Sequence, residues 1–130
     1  VGLDAGMNAL IRPAFYDAWH DIHVLNRLDE SNDGVFDVVG PICETGDFLA
    51  LSRPLPTLSE HDTLAIFSAG AYAMSMASQY NSKVRPAEVV VMGEDYQVVR
   101  QRERYEDLVA REMEGIETVR SGAKHLKLIK

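Results

Sequence analysis

The stretch of sequence that decides the fold is SNDGVFDVVGPI, residues 31–42. Its first four residues, 31–34, are small or polar and form a strong turn signal, and the apolar, β-branched residues 35–42 predict a strand. Upstream, residues 20–28 alternate partly between apolar and polar side chains, which is typical of a half-buried strand. We therefore predict that these two segments pair as a hairpin around the turn.

Other short strands are predicted along the rest of the chain. Five further segments are apolar and short: residues 1–5, 48–52, 64–67, 87–92 and 96–100. Pro54 and Pro56 should stop regular pairing after the second of them, because proline lacks the backbone donor. The last two segments flank Gly93-Glu94-Asp95, and we expect them to form a second hairpin.

Helical patterns are few. We expect one helical turn at 14–17 inside an irregular loop, a short helix at 70–79, and an amphipathic helix at 102–114 that ends before Gly115. The excess of short strands over helices favours a mostly-β fold, a β-barrel or sandwich domain with one or two short helices. The tail 121–130 has too little apolar pattern to predict an element, which is typical of a disordered end.

The composition fits one soluble globular domain, with 130 residues of which 46% are hydrophobic. A net charge of -7 disfavours nucleic acid and anionic membranes as partners, because both would repel the surface. No apolar stretch is long enough to cross a bilayer. The single cysteine, Cys43, cannot form an internal disulfide, which favours a reducing, cytoplasmic setting. The four histidines lack metal-ligand spacing, so we predict no metal site.

The sharpest local feature is the run Gly40-Pro41-Ile42-Cys43-Glu44-Thr45-Gly46-Asp47, which places a thiol and two carboxylates in one turn after a strand. Neighbouring carboxylates disfavour the thiolate, so Cys43 is better suited to donating a proton than to attacking as a nucleophile. The alternative is equally open: Cys43 is a small apolar core residue, and Glu44 and Asp47 are ordinary turn residues.

Two further positions are candidates for ligand binding. Arg12 and Tyr16 are one helical turn apart, a spacing that can aim a guanidinium and a phenol at one carboxylate. The competing explanation is a structural arginine paired with Asp4 or Asp17. Tyr72 follows the small residues 69–71, which let a ligand approach the backbone, although Tyr72 as a plain core residue remains the alternative.

Ordered motifs along most of the chain resemble diaminopimelate decarboxylases. The resemblance rests on Asp4-Ala5-Gly6-Met7-Asn8, on the run from Leu10 to Ala18, on Cys43-Glu44-Thr45-Gly46-Asp47 (the Cys43 box), on Gly70-Ala71-Tyr72, and on Tyr80-Asn81-Ser82 with Arg85-Pro86. It extends to about Met92. One departure is Thr45, where the family usually has serine, and both residues keep a hydroxyl.

The resemblance implies a two-domain homodimeric enzyme that converts meso-diaminopimelate to L-lysine and carbon dioxide. Residues 1–120 would be its carboxy-terminal β-barrel domain, and pyridoxal 5'-phosphate would be bound mainly by an amino-terminal TIM-like barrel that this chain lacks. Arg12, Tyr16 and Tyr72 match substrate-binding positions, and Tyr72 also matches a cofactor contact. Cys43 matches the proton donor and Glu44 the contact to the distal amino group, both reaching the neighbouring subunit's site.

No lysine in this chain suits the cofactor. Lys83 lies in a predicted loop and the other three lysines lie in the tail, so we expect the isolated fragment to be inactive. Two alternatives stay open. The first is a related decarboxylase of ornithine, arginine or carboxynorspermidine, of which the spacing in the Cys43 box argues against the ornithine type. The second is a non-catalytic dimerisation module, which has no reason to retain a proton donor beside its ligand contacts.

Overall fold

Short antiparallel strand pairs make up most of the regular structure. The computed structural model describes residues 1–120, in which two α-helices and six strands follow in the order α1 Arg12–Tyr16, β1 Ile22–Val24, β2 Gly34–Val39, β3 Phe48–Leu55, β4 Leu64–Ile66, β5 Glu88–Met92, β6 Asp95–Arg100 and α2 Tyr105–Arg120. The same residues also contain three 3-10 helices of one turn each, Leu25–Arg27, Met74–Met76 and Tyr80–Ser82. The mostly-β prediction with two helices is confirmed.

The strands pair as β1 with β4, β2 with β3, and β5 with β6. Within residues 1–120 these are separate two-stranded sheets and do not close into a barrel. The predicted hairpin between residues 20–28 and 35–42 is therefore wrong, whereas the hairpin of β5 and β6 is confirmed. Its two-residue turn begins at Gly93, whose φ of 64° is a left-handed conformation that suits glycine.

Polar side chains explain why β1 does not pair with β2. Asp33, from the predicted turn, accepts hydrogen bonds from the backbone N–H of Thr57 at 2.6 Å and from its hydroxyl at 3.0 Å. Arg27, in the 3-10 turn after β1, forms an ion pair with Asp62. Both contacts tie the segment between β1 and β2 to the segment before β4, so β1 lies against β4.

The longest strand, β3, continues through a proline. Pro54 lies opposite Val35 in the ladder, so our prediction that it stops regular pairing is wrong. Since β3 pairs with β2 alone among the strands of residues 1–120, a residue without a backbone donor can sit where that donor would face away from the ladder. The opening residues form a single parallel bridge between Gly2 and Val39 and not the full strand that we predicted.

The core lies where β2 and β3 face α1 and β1. Its buried residues are Leu10, Ile22, Val38, Leu49, Ala50 and Leu55. Arg53 is buried as well, and its guanidinium donates to the carbonyl oxygen of His20 at 2.6 Å and stacks on Trp19. These two contacts of Arg53 hold the segment after α1 against β3.

Two helix predictions are wrong in extent. Residues 70–79 contain only the 3-10 turn Met74–Met76, and the backbone N–H of Ser78 donates to the Asn8 carbonyl at 2.9 Å and not to its own segment. Helix α2 continues past Gly115 to Arg120, which an exposed helix tolerates at a cost of about 1 kcal/mol. The tail 121–130 lies outside the described residues. Among residues 1–120 no helix is both long and apolar enough to cross a membrane.

Candidate active site

The loop between β2 and β3, residues 40–47, is called the Cys43 loop and is organised by the buried carboxylate of Asp47. One carboxylate oxygen of Asp47 accepts the Met7 N–H at 2.7 Å, and the other accepts the Ile42 N–H at 2.6 Å. The loop also closes on itself, since the Gly40 N–H donates to the Asp47 carbonyl at 3.0 Å. Asp47 is therefore structural, and the interpretation of this residue as an ordinary turn residue in solvent is wrong.

Two glycines allow this close packing. A Cβ placed on Gly40 would lie 2.4 Å from the Gly6 Cα and 2.5 Å from both carboxylate oxygens of Asp47. A Cβ on Gly6 would lie 2.4 Å from the same carboxylate. Contacts this short do not occur, so the approach of the two backbone segments around Asp47 requires glycine at both positions.

The reactive side chains lie on the outer side of the loop. Cys43 is a free thiol and is exposed, which contradicts the interpretation of Cys43 as a core residue. Glu44 is exposed too, and its Oε1 accepts hydrogen bonds from the Gly46 N–H and the Thr45 hydroxyl, both at 3.3 Å. These two donors, followed by the Tyr80 hydroxyl, lower the pKa of Glu44, so its carboxylate is charged at neutral pH.

Tyr80 joins this loop from a distant part of the chain. Its hydroxyl donates to Glu44 Oε2 at 3.3 Å across a separation of 36 residues. The negative charge of Glu44 is the main reason that the pKa of Tyr80 is raised, and burial and the hydrogen bond to Glu44 also contribute. Sequence reasoning missed a role for Tyr80. The motif Tyr80-Asn81-Ser82 was visible in the sequence, but a contact over this distance has no local signal.

Arg12 and Tyr16 lie on one face of α1. Pro13 occupies the start of this helix, where its missing N–H costs nothing, and its buried ring sits on the inner face. Asp17 ends the helix in a left-handed conformation with a φ of 53°. Because Arg12 and Tyr16 are four residues apart, this short helix presents both side chains together.

Tyr72 meets them from the turns that follow β4. The Arg12 guanidinium carbon lies 5.4 Å from the centre of the Tyr72 ring, within the range of a cation–π contact. Arg12, Tyr16 and Tyr72 line one open pocket of about 370 Å³. Tyr72 is 54% exposed, so it is not a core residue. Among residues 1–120 Arg12 forms no ion pair with Asp4 or Asp17, so the alternative of a structural ion pair is not observed.

The predicted site residues therefore fall into two groups. Arg12, Tyr16 and Tyr72 form the first, and Cys43 and Glu44, with Tyr80, form the second. The first group offers a cation and two phenols to an anionic ligand, and the second offers a thiol and a carboxylate to a cationic one. Among residues 1–120 no group of three or more histidine, cysteine or acidic side chains could hold a metal ion.

The described residues fit one wall of a cofactor site. Tyr72 exposes an aromatic face beside Arg12, which suits contact with a planar, anionic group. Lys83 is the one lysine within residues 1–120, and it lies in the loop between Ser82 and β5. The other three lysines of the chain lie outside the described residues.

Known proteins are similar to this chain over most of its length. Residues 1–70 match the family described as pyridoxal-dependent decarboxylase, C-terminal sheet domain. Diaminopimelate decarboxylase from Archaeoglobus fulgidus is 48% identical over 112 residues, which cover 86% of this chain and 27% of that protein. The enzyme of the same name from Methanothermobacter thermautotrophicus is 52% identical over 109 residues, covering 83% of this chain and 25% of that protein.

A solved structure has the same fold. Diaminopimelate decarboxylase from Helicobacter pylori, complexed with L-lysine, superposes with a TM-score of 0.80 at 43% identity. The superposition covers 88% of this chain and 28% of the Helicobacter pylori chain. This chain thus spans about a quarter of the length of the relatives that it matches.

Proposed function

The chain belongs to the family of C-terminal sheet domains of pyridoxal-dependent decarboxylases, and from this premise we propose that it is the carboxy-terminal part of a diaminopimelate decarboxylase. The complete enzyme would convert meso-2,6-diaminopimelate to L-lysine and carbon dioxide in the cytoplasm, where a free cysteine stays reduced. Residues 1–120 would be its β-domain. The names of the relatives and the lysine bound to one of them favour this substrate over ornithine, arginine or carboxynorspermidine.

The pocket of Arg12, Tyr16 and Tyr72 would bind one end of the substrate. A guanidinium fork matches a carboxylate with two parallel hydrogen bonds, and Tyr16 adds a hydroxyl donor from the same helix face. Tyr72 limits where the Arg12 guanidinium can lie, because the two stack at 5.4 Å. This arrangement supports selection of a substrate with a second carboxylate at its far end.

The exposed pair Cys43 and Glu44 is the observation that carries the proposal. A rigid loop, fixed by the buried Asp47, presents a proton donor and a carboxylate outward from the domain. Side chains that project in this way can enter a site on another protomer, which supports a homodimer with shared active sites. Glu44 would then bind the distal ammonium group of the substrate by charge and hydrogen bonding.

Decarboxylation requires one proton at a defined carbon. The bond to the departing carboxylate breaks, and a hydrogen must take its place on the same carbon. Cys43 would deliver that proton from its thiol, and the thiolate would regain a proton from solvent, which reaches this exposed side chain.

Pyridoxal phosphate is the cofactor that the family implies. When bound, it supplies an electron sink for the electron pair that carbon dioxide leaves behind. Tyr72 would contact it through its exposed ring, and the lysine that anchors it would lie in the remainder of the polypeptide. Residues 1–120 alone would then be inactive.

Replacing Cys43 with alanine in the complete polypeptide tests this function. We expect kcat for meso-diaminopimelate to fall by about 10²-fold or more, because the proton donor is lost. KM should change little, since Cys43 is not proposed to bind the substrate. Lysine release in a coupled assay would measure both constants.

The control is Ser31→Ala, which removes an exposed hydroxyl in the loop before β2 and should leave both constants unchanged. A decrease of less than threefold in kcat for the Cys43 variant would contradict its role. A parent enzyme without activity on meso-diaminopimelate would contradict the substrate.

A further inference from the structure

The hydrogen bond between Tyr80 and Glu44 joins two exposed side chains that nothing local forces together. Tyr80 belongs to the 3-10 turn Tyr80–Ser82, and Glu44 belongs to the loop between β2 and β3. Their contact, 3.3 Å from the Tyr80 hydroxyl to Glu44 Oε2, spans 36 residues of sequence. Exposed polar side chains lose rotamer freedom when they are held in this way, so the surrounding backbone must fix both partners.

The backbone around Tyr80 is held in a strained conformation. Asn81 and Ser82 both have left-handed backbones, with φ of 55° and 57°. Consecutive left-handed residues other than glycine are unfavourable and persist only where the surroundings fix them, and such positions concentrate at functional sites. The strain thus identifies the turn after Tyr80 as a segment whose shape is imposed.

Anchors on both sides of Tyr80 supply that constraint. Before it, the Ser78 N–H donates to the Asn8 carbonyl at 2.9 Å. After it, the backbone N–H of Arg85 donates to Glu103 at 2.8 Å, and the Arg85 side chain donates to the same carboxylate at 2.7 Å. The Gln79 amide also donates to Glu103, at 3.1 Å. The Tyr80 hydroxyl is therefore carried by a segment that is tied at both ends.

Among the described residues, the hydrogen-bond donors to Glu44 are distributed unequally over its two carboxylate oxygens. Each carboxylate oxygen accepts about two hydrogen bonds. Oε1 receives two, from the Gly46 N–H and the Thr45 hydroxyl, and Oε2 receives one, from Tyr80. Within residues 1–120, Oε2 thus accepts fewer hydrogen bonds than Oε1, and the direction of its further acceptor position is set by where the Tyr80 hydroxyl lies.

We propose that Tyr80 is a positioning residue, whose hydroxyl holds the Glu44 carboxylate so that the further acceptor position of Oε2 faces the ammonium group of the substrate. This inference rests on the proposed function for the identity of the ligand. Its structural part, that Tyr80 fixes Glu44, stands on the contact and the anchored turn. Tyr80 acts through Glu44 and transfers no proton itself.

The test is Tyr80→Phe in the complete polypeptide, which removes the hydroxyl and keeps the ring. KM for meso-diaminopimelate should rise by roughly threefold to tenfold, since one exposed hydrogen bond to a charged group is lost. The kcat value should change by less than twofold, because a contact that is equal in the ground and transition states affects binding alone. Tyr96→Phe is the matched control, since the Tyr96 hydroxyl has no hydrogen bond among residues 1–120, and it should change neither constant.

A second measurement does not depend on activity. Titration of the Glu44 side-chain carbon by NMR in this chain should show that Tyr80→Phe raises the pKa of Glu44, because the carboxylate loses a donor. Unchanged titration would overturn the inference whatever the kinetics show. A tenfold loss of kcat at constant KM would also overturn it, because Tyr80 would then act in the chemical step. If the parent enzyme does not act on diaminopimelate, the proposed function fails, and the titration alone still decides the role of Tyr80.

Discussion

The part of the chain up to the end of β4 and the part formed by β5, β6 and α2 differ in what they bury. The first contains every buried residue of the core, from Leu10 to Leu55. In the second, every residue from 89 to 102 is exposed, although β5 and β6 are rich in valine. Valine favours strands in both parts, so a strand can form without burial of its side chains. A strand adds much to the free energy of unfolding only where its side chains are buried.

This difference shows where the candidate site draws its rigidity. The Cys43 loop connects β2 and β3, the two strands that carry most of the core. The buried carboxylate of Asp47 holds this loop through its hydrogen bonds. The hairpin of β5 and β6 supplies no residue to either group of site residues. Substitutions of the same type in the two parts should therefore have unequal effects, and three pairs can test this.

Glycine-to-alanine replacements should give the largest contrast. Gly40→Ala places a methyl group against the Gly6 backbone and the Asp47 carboxylate, and we expect the free energy of unfolding to fall by about 3 kcal/mol or more, since overpacking and weakened buried hydrogen bonds both contribute. The methyl group of Gly115→Ala would point into open space on helix α2, and this replacement should raise the free energy of unfolding by about 0.5 to 1 kcal/mol. Urea denaturation measures both. Equal and small effects would contradict the close packing around Asp47.

The same contrast explains which parts of the fold the sequence could predict. The hairpin of β5 and β6 was predictable because its pairing is local and its turn contains Gly93. The pairing of β1 with β4 was not, because it depends on Asp33 meeting Thr57 and on Arg27 meeting Asp62, contacts between residues distant in sequence. The turn predicted at 31–34 is wrong as well, since the chain turns at residues 28–29 and Gly34 is already the first residue of β2.

In the candidate site, too, local features were predictable from the sequence and contacts between distant segments were not. Arg12 and Tyr16 were predictable as a pair, since helical spacing alone places them together. The Cys43 box was recognisable from its order of residue types. Two features arise from chain segments that meet only after folding. They are the close packing of Asp47 against Gly6 and Gly40, and the contact of Tyr80 with Glu44. Their roles in binding and proton transfer stay predictions.

Valine-to-alanine replacements should give a smaller contrast. Val38 in β2 is fully buried, and its replacement should lower the free energy of unfolding by about 2 to 3 kcal/mol through lost burial and a residual cavity. Val91 in β5 is 69% exposed, and its replacement should cost less than about 0.5 kcal/mol. The two residues are identical and both lie in strands, so burial is the main variable. A cost at Val91 that matches the cost at Val38 would show that the hairpin packs within this chain.

The smallest contrast is expected between two acidic residues, Glu103 before α2 and Asp62 before β4. Glu103 lies just before α2 and accepts hydrogen bonds from Arg85, and the Arg85 guanidinium lowers the pKa of Glu103 from 4.5 to about 2. A carboxyl group with a lowered pKa stabilises the folded state above its unfolded pKa, and this contribution is lost as the pH falls from about 4.5 towards about 2. Glu103→Gln should therefore lower the free energy of unfolding by about 1 kcal/mol at pH 7, since the pair is partly exposed.

The difference in the free energy of unfolding between parent and Glu103→Gln should become smaller when urea denaturation is repeated at pH 4.5, 3.5 and 3. Asp62→Asn is the matched variant within the first part, because Arg27 lowers the pKa of Asp62 from 3.8 to about 2. Its effect should persist to lower pH than that of Glu103→Gln, since its unfolded pKa is lower. A difference in the free energy of unfolding between parent and Glu103→Gln that is constant down to pH 3 would mean that the charge of Glu103 does not hold residues 79–85 to the start of α2.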